Sequence, residues 1–241
     1  MRKSQFLALV AVFAAVNVVF DSLMGLPEFS SGVWYSWIFI VEPINGIVLG
    51  PYAGFLSSLI GVMIGHSIYF RDVYEFLFTF GAPIGAMVAG FLFRGRWKIV
   101  LTYYTALLGI YFITPVAWQL PLWGMWDVYL AFACLLFLIV AMRRWKGFWD
   151  TKSAGLRLLY IVALCTFIGL EADVLFRIFI LVPCQTYRLI YTLEVSTLQW
   201  WWAAGAIETS TKAVLSTLVN IMVAPPIIMT VRKMSLRFIK D

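Results

Sequence analysis

Apolar residues fall into long runs along this chain, separated by short clusters of charge, proline or glycine. A helix that crosses a hydrocarbon core needs roughly 20 predominantly apolar residues. Eight segments answer to that description: 5–25, 33–49, 52–70, 75–93, 98–118, 123–142, 156–182 and 209–231. The pattern predicts an all-α, polytopic transmembrane helix bundle of about 8 spans, with residues 1–241 forming one membrane domain. The second run is short and carries Glu42-Pro43 at its centre. Residues 184–207 make a poor span, because Gln185, Arg188, Glu194 and Gln199 interrupt it. The expectation there is an interfacial or re-entrant segment ending in Trp200-Trp201-Trp202.

Composition agrees with the pattern. Of 241 residues, 63% are hydrophobic and 12% charged, against roughly 25% charged in a soluble domain. A chain this apolar could not cover its surface in water, so lipid is the expected solvent. The net charge of +6 would suggest nucleic acid in a soluble protein; here it follows from orientation. With the N-terminus inside, the inner segments hold Arg2, Lys3, Arg94, Arg96, Lys98, Arg143, Arg144, Lys146, Lys152, Arg157, Arg232, Lys233, Arg237 and Lys240. These are 14 of the 18 basic residues, as the positive-inside rule requires. Only Arg71, Arg177, Arg188 and Lys212 fall outside or in the outer leaflet. An even number of spans follows, with both termini cytoplasmic and the protein in the cell membrane. Acidic residues show the opposite bias: Glu28, Asp72, Glu75, Glu194 and Glu208 lie outward, with Trp34, Trp37, Trp118 and Trp123, while Asp150 and Asp241 lie inside. The first run passes the usual length of a signal-peptide core and reads as a retained helix.

Cys134, Cys165 and Cys184 are isolated, and His66 is the single histidine. No metal site, disulfide framework or cofactor is expected from such spacing.

Two faces distinguish the first helix. At about 100° per residue, Ala8, Ala11 and Ala15 share a narrow stripe, whereas Asn17 and Asp21 share the opposite face. Small residues let helices approach closely in lipid. The third run opens Gly50-Pro51-Tyr52-Ala53-Gly54 and continues with Ser58, Gly61 and Gly65 on one stripe; the fourth repeats the device with Gly81, Gly85 and Ala89. Each stripe alone is equally compatible with ordinary helix packing. In order, an Ala-rich first helix, a loop, a helix running into Gly50–Gly54, a glycine-striped third helix and a fourth ending in Arg94-Gly95-Arg96 form one pattern. It resembles the substrate-binding S components of energy-coupling factor (ECF) transporters. The resemblance covers residues 5–98; residues 99–241 add helices without a matching motif, and the family is usually built on six. It implies that Ala8, Ala11 and Ala15 dock on a transmembrane coupling protein that carries two ATPases.

Charges inside a membrane cost about 2.5–3.5 kcal/mol on insertion scales, so each needs a reason. Pro43 removes a backbone donor near mid-membrane, with Asn45 one turn on. Either a discontinuous helix presents Glu42 and Asn45 to a ligand, or a proline kink carries a satisfied Glu42. Asp173 and Arg177 lie four apart, in the order that favours a structural ion pair. Glu171 points about 120° away from Arg177 and is free for a ligand or a partner across the bundle. Asp127 follows Trp126 and Trp123, an aromatic wall beside a carboxylate; Trp126 is open between that role and an interface anchor.

Three functions compete. In solute capture, an outward cavity lined by Asp21, Glu42, Asn45, Trp126, Asp127 and Glu171 takes a vitamin or cofactor-precursor-like molecule, and the outer acids favour a cationic or donor-rich heterocycle. An intramembrane enzyme lacks visible support, with no catalytic residue assigned: no paired-acid motif is present, and His66 is the only imidazole base. A stand-alone secondary transporter would be expected to show inverted repeats, which the halves do not. No nucleotide motif occurs, so ATP use would come from a partner.

Overall fold

In lipid a backbone satisfies its own polar groups by bonding within the segment, and the long apolar runs here fold as helix. The computed structural model describes residues 3–23, 36–70, 73–145, 147–151 and 155–237. Its helices are α1 (Lys3–Ser22), α2 (Glu42–Leu49), α3 (Pro51–Ile68), α4 (Gly81–Phe93), α5 (Trp97–Ile113), α6 (Trp126–Arg144), α7 (Leu156–Leu181), α8 (Thr186–Leu189) and α9 (Val195–Arg237). Short 3-10 turns at Ile38–Ile40, Val73–Phe78, Pro115–Gln119 and Leu122–Met125 lead into or follow them. Among the described residues there is no β-strand. Arg2, Glu28, Trp34, Arg71, Asp72, Lys146, Lys152, Lys240 and Asp241, placed above by charge bias, lie outside the described residues.

Six helical segments are long and apolar enough to cross a membrane: Lys3–Ser22, Pro51–Ile68, Glu75–Phe93, Leu122–Arg144, Leu156–Leu181 and Val195–Lys233. Two further apolar helices, Ile38–Leu49 and Trp97–Ile113, are shorter. Large exposed side chains such as Leu7, Val12, Tyr52, Ile113, Val140 and Met222 coat the bundle, a surface suited to lipid.

Residues 184–207 divide differently from the expectation of one separate segment. Thr186–Leu189 is a single turn, and 195–207 is the opening of α9, which runs unbroken for 43 residues through Pro225 and Pro226. Gln185, Arg188, Glu194 and Gln199 are exposed, whereas Glu208, Thr209, Lys212, Ser216 and Asn220 further along α9 all turn inward and are buried.

Pro43 opens a helix instead of kinking one. It sits in the first turn of α2, where a missing N–H is tolerated. The carbonyl that a residue-43 amide would otherwise bond belongs to Phe39. Ser216 Oγ donates to that oxygen at 2.7 Å, and Asn220 Nδ2 donates to the next, Ile40 O, at 2.8 Å. The polar stripe of α9 thus satisfies the break in front of α2.

Glycines then let three backbones converge. A Cβ at Gly46 would stand 1.6 Å from Ala86 O on α4, and one at Gly54 would stand 2.7 Å from Gly46 Cα. The α2–α3 turn needs Gly50, whose φ is +94°, and Arg94 Nη2 donates to Leu49 O at 3.3 Å beside it. Gly169 and Gly85 also bring α7 close to α4. On α1, Asn17 and Asp21 are buried while Ala8, Ala11 and Ala15 are exposed. Gly61 and Gly65 of α3 make room for Asn17 and Asp21.

Basic side chains gather at one end. Trp149 Nε1 donates to Phe93 O at 3.4 Å, Arg232 Nη2 donates to Thr151 O, and the Arg143 guanidinium lies 4.8 Å from the Trp97 ring centre. The ends of α4, α6 and α9 and the starts of α5 and α7 therefore share this end.

Candidate functional site

At the opposite end, the first turn of α6, the first five turns of α9 and the last turns of α7 border a half-open cavity of about 170 Å³. Two 3-10 turns and the 190–194 connector complete the wall. Its polar side chains are Glu75, Asp127, Arg177, Thr209 and Lys212, and its aromatic ones are Phe78, Tyr191, Trp201 and Trp202.

Arg177 is the hub. Its Nε donates to Asp173 Oδ1 at 2.7 Å, and its Nη1 lies 3.6 Å from Glu75 Oε1. Glu75 Oε1 in turn lies 4.0 Å from His66 Nε2, which stands 3.5 Å from Asp21 Oδ2. Ser36 Oγ donates to the other Asp21 oxygen at 3.0 Å. A line of charge thus runs from α1 through α3 to the cavity wall. Along it lies a recess of about 20 Å³, bordered by Asp21, His66 and Asp173. The recess shares Glu75, Arg177 and Lys212 with the main cavity.

The far side is held by different bonds. Asp127 accepts from its neighbour's amide, Val128 N, at 2.9 Å and from Thr209 Oγ1. These bonds fix the carboxylate between α6 and α9. Trp202 stacks on Tyr111, with ring centres 5.9 Å apart and planes 3° from parallel. Gly124 makes room for it, since a Cβ there would stand 2.2 Å from the indole. The Trp202 indole N–H is buried and has no hydrogen-bond partner among the described residues. A donor left unmade in a dry wall costs about 1–3 kcal/mol, and an acceptor on a bound molecule would recover it. Lys212 is buried, with Nζ 5.5 Å from the Phe39 ring centre.

Of the residues singled out from the sequence, Asp127 lines the main cavity and Asp21 the recess. Asp173 and Arg177 pair, and Arg177 also faces the cavity. Trp126 lies outside it, its Nε1 donating to Ala206 O at 3.3 Å. Asn45 donates to Asn17 Oδ1 at 2.8 Å, joining α2 to α1. Glu42 and Glu171 are fully buried, none of their carboxyl oxygens has a hydrogen-bond partner among the described residues, and neither residue lines the cavity. Glu42 packs against Gly85, where a Cβ would stand 2.6 Å from its Oε1.

Sequence reasoning did not select Glu75, Lys212, Thr209, Tyr191, Trp201 or Trp202 for this wall. One signal for part of it was present. Glu208, Lys212, Ser216 and Asn220 recur every four residues, and such a stripe turns one face of a helix inward. Glu75 carried no such signal, because its partners His66 and Arg177 lie on other elements, Arg177 far along the chain.

No protein-family model, curated protein or solved structure matches the chain.

Proposed function

We propose that the protein is the solute-binding membrane subunit of an importer of the ECF type, taking up a vitamin or cofactor-precursor-like small molecule. The observation that carries this reading is the cavity itself. It is half-open and walled by tryptophan and by opposed charges, and one of its tryptophans carries a buried donor without a partner among the described residues. Ligand sites have this composition: mostly apolar walls with a few placed polar groups.

Orientation follows from charge. The end bearing Arg94, Arg143, Arg157 and Arg232 is cytoplasmic by the positive-inside rule, so the cavity opens outward. Counting the two shorter helices with the six long ones gives eight segments and returns both chain ends to the cytoplasm. Two acids, Glu75 and Asp127, face two bases, Arg177 and Lys212. That balance favours a ligand with both donors and acceptors over the cationic one suggested by the outer acids alone. The exposed Ala8, Ala11 and Ala15 face of α1 is the seat for a transmembrane coupling protein with two ATPases.

The reading is tested by purifying tagged protein from its native membrane and identifying what accompanies it. A coupling subunit and ATPases are expected with the wild type. Ala11→Leu should lose them while any bound small molecule is kept. A bound solute without those subunits would favour a stand-alone transporter, and neither solute nor subunits would overturn the proposal.

A further inference from the structure

A second, larger concavity lies at the opposite, basic end. It is a groove of about 690 Å³ between α6 and α7, and no residue of the cavity described above takes part in it. Its lining includes Phe137, Trp145, Trp149, Arg157, Ile161 and Leu164. Phe137 lies seven residues before Arg144, the end of α6, and Leu164 lies seven residues after Arg157 near the start of α7. At about 1.5 Å per residue, both walls descend roughly 10 Å from the charged end into the apolar zone.

The groove therefore has two chemistries in sequence along the membrane normal. Its floor is apolar: Ile161 is buried and Leu164 half-buried, with Phe137 on the opposing rim. Its mouth is lined by the exposed Arg157 together with Trp145 and Trp149. Arg157 Nη1 donates to Gly147 O at 3.4 Å; its other guanidinium donors have no partner among the described residues and suit a fork onto an anionic oxygen pair. Trp149 is fixed by its bond to Phe93 O. Arg143 and Arg144 at the end of α6 add positive potential at the same level.

The geometry points to a binding site for one anionic phospholipid in the α6–α7 groove, its phosphate on Arg157 and an acyl chain along Phe137, Ile161 and Leu164. A soluble anion would use the mouth and leave the trough empty. A zwitterionic lipid would fill the trough but bring a second positive charge to Arg157. Only an amphiphile with a net negative head matches both halves. Basic pockets between helices on the cytoplasmic side are the usual setting for such recognition. The site is independent of whatever solute the outward cavity holds.

Native mass spectrometry of the full-length protein in detergent, supplied with phosphatidylglycerol or phosphatidylcholine, tests this. One phosphatidylglycerol per chain is expected, held about tenfold more tightly than phosphatidylcholine. Arg157→Gln should remove that preference, whereas Arg96→Gln, a charge lost at the same end outside the groove, should keep it. Leu164→Trp, which fills the trough, should weaken both lipids, and it keeps the test decisive if Arg157→Gln fails to fold. Glycerol phosphate at equal concentration should not compete. Equal retention of the two lipids, equal loss from Arg96→Gln, or full competition by glycerol phosphate would overturn the assignment. So would a dimer that Leu164→Trp dissociates without any lipid retained, since the groove would then seat a second copy.

Discussion

His66 Nε2 stands 3.5 Å from Asp21 Oδ2, and this pair joins α1 to α3 on the face of α1 opposite Ala8, Ala11 and Ala15. The same imidazole nitrogen lies 4.0 Å from Glu75 on the cavity wall. One histidine therefore stands between the proposed docking helix and the proposed ligand.

Replacing His66 with alanine should loosen α1 without dissolving the bundle. Loss of a buried polar partner costs about 1–3 kcal/mol. Amide exchange in α1 should rise and a co-purifying solute should bind more weakly, because Glu75 loses its support from behind. Unchanged exchange in α1 would show that the pair does not position that helix.

Gly46 and Gly109 should respond oppositely to alanine. A Cβ at Gly46 would stand 1.6 Å from the Ala86 carbonyl oxygen, whereas Gly109 has nothing within 4 Å. Overpacking typically costs about 1–3 kcal/mol, and a backbone obstacle cannot move aside as a side chain can. Thermal unfolding in detergent should show a clear fall in Tm for Gly46→Ala. Gly109→Ala should be neutral or raise stability by up to about 1 kcal/mol.

Ser216 and Pro43 should be coupled. Ser216→Ala removes the hydroxyl that donates to the Phe39 carbonyl, at a cost of roughly 0.6–1.7 kcal/mol for a hydrogen bond between helices in a membrane. Pro43→Ala restores an amide within reach of the same oxygen. The penalty of Ser216→Ala should therefore shrink in the Pro43→Ala background, a non-additivity read from a double-mutant cycle of unfolding midpoints. Additive effects would separate the two residues.

The division between what the sequence reveals and what it hides follows from the range of the forces involved. Apolar runs are local, and a continuous apolar run of about 20 residues is long enough for a membrane-crossing helix, so α1, α3, α4, α6 and α7 are recognisable within a few residues. The two faces of α1 are also local, since Asn17 and Asp21 are spaced one turn apart. The opening of α9 is hidden because Gln185, Arg188, Glu194 and Gln199 interrupt the apolar pattern there; all four are exposed, and helix from Val195 onward tolerates Gln199 on its outer face. The Glu75–Arg177 contact joins residues 102 positions apart, which no periodicity in either segment encodes. Glu42 illustrates the converse: its pattern with Pro43 marks the break in the chain, yet the side chain packs against α4 and not in the cavity.

The central claim is that the cavity beside Trp202 binds a solute, and native mass spectrometry of the purified protein tests it most directly. Wild type should carry a small molecule of defined mass. Trp202→Phe, which keeps the stack on Tyr111 but removes the unpartnered N–H, should weaken its binding about tenfold, on the order of 1.4 kcal/mol. Lys212→Met should weaken it further. Retention of the same molecule at equal affinity by both variants would place binding elsewhere and contradict the account.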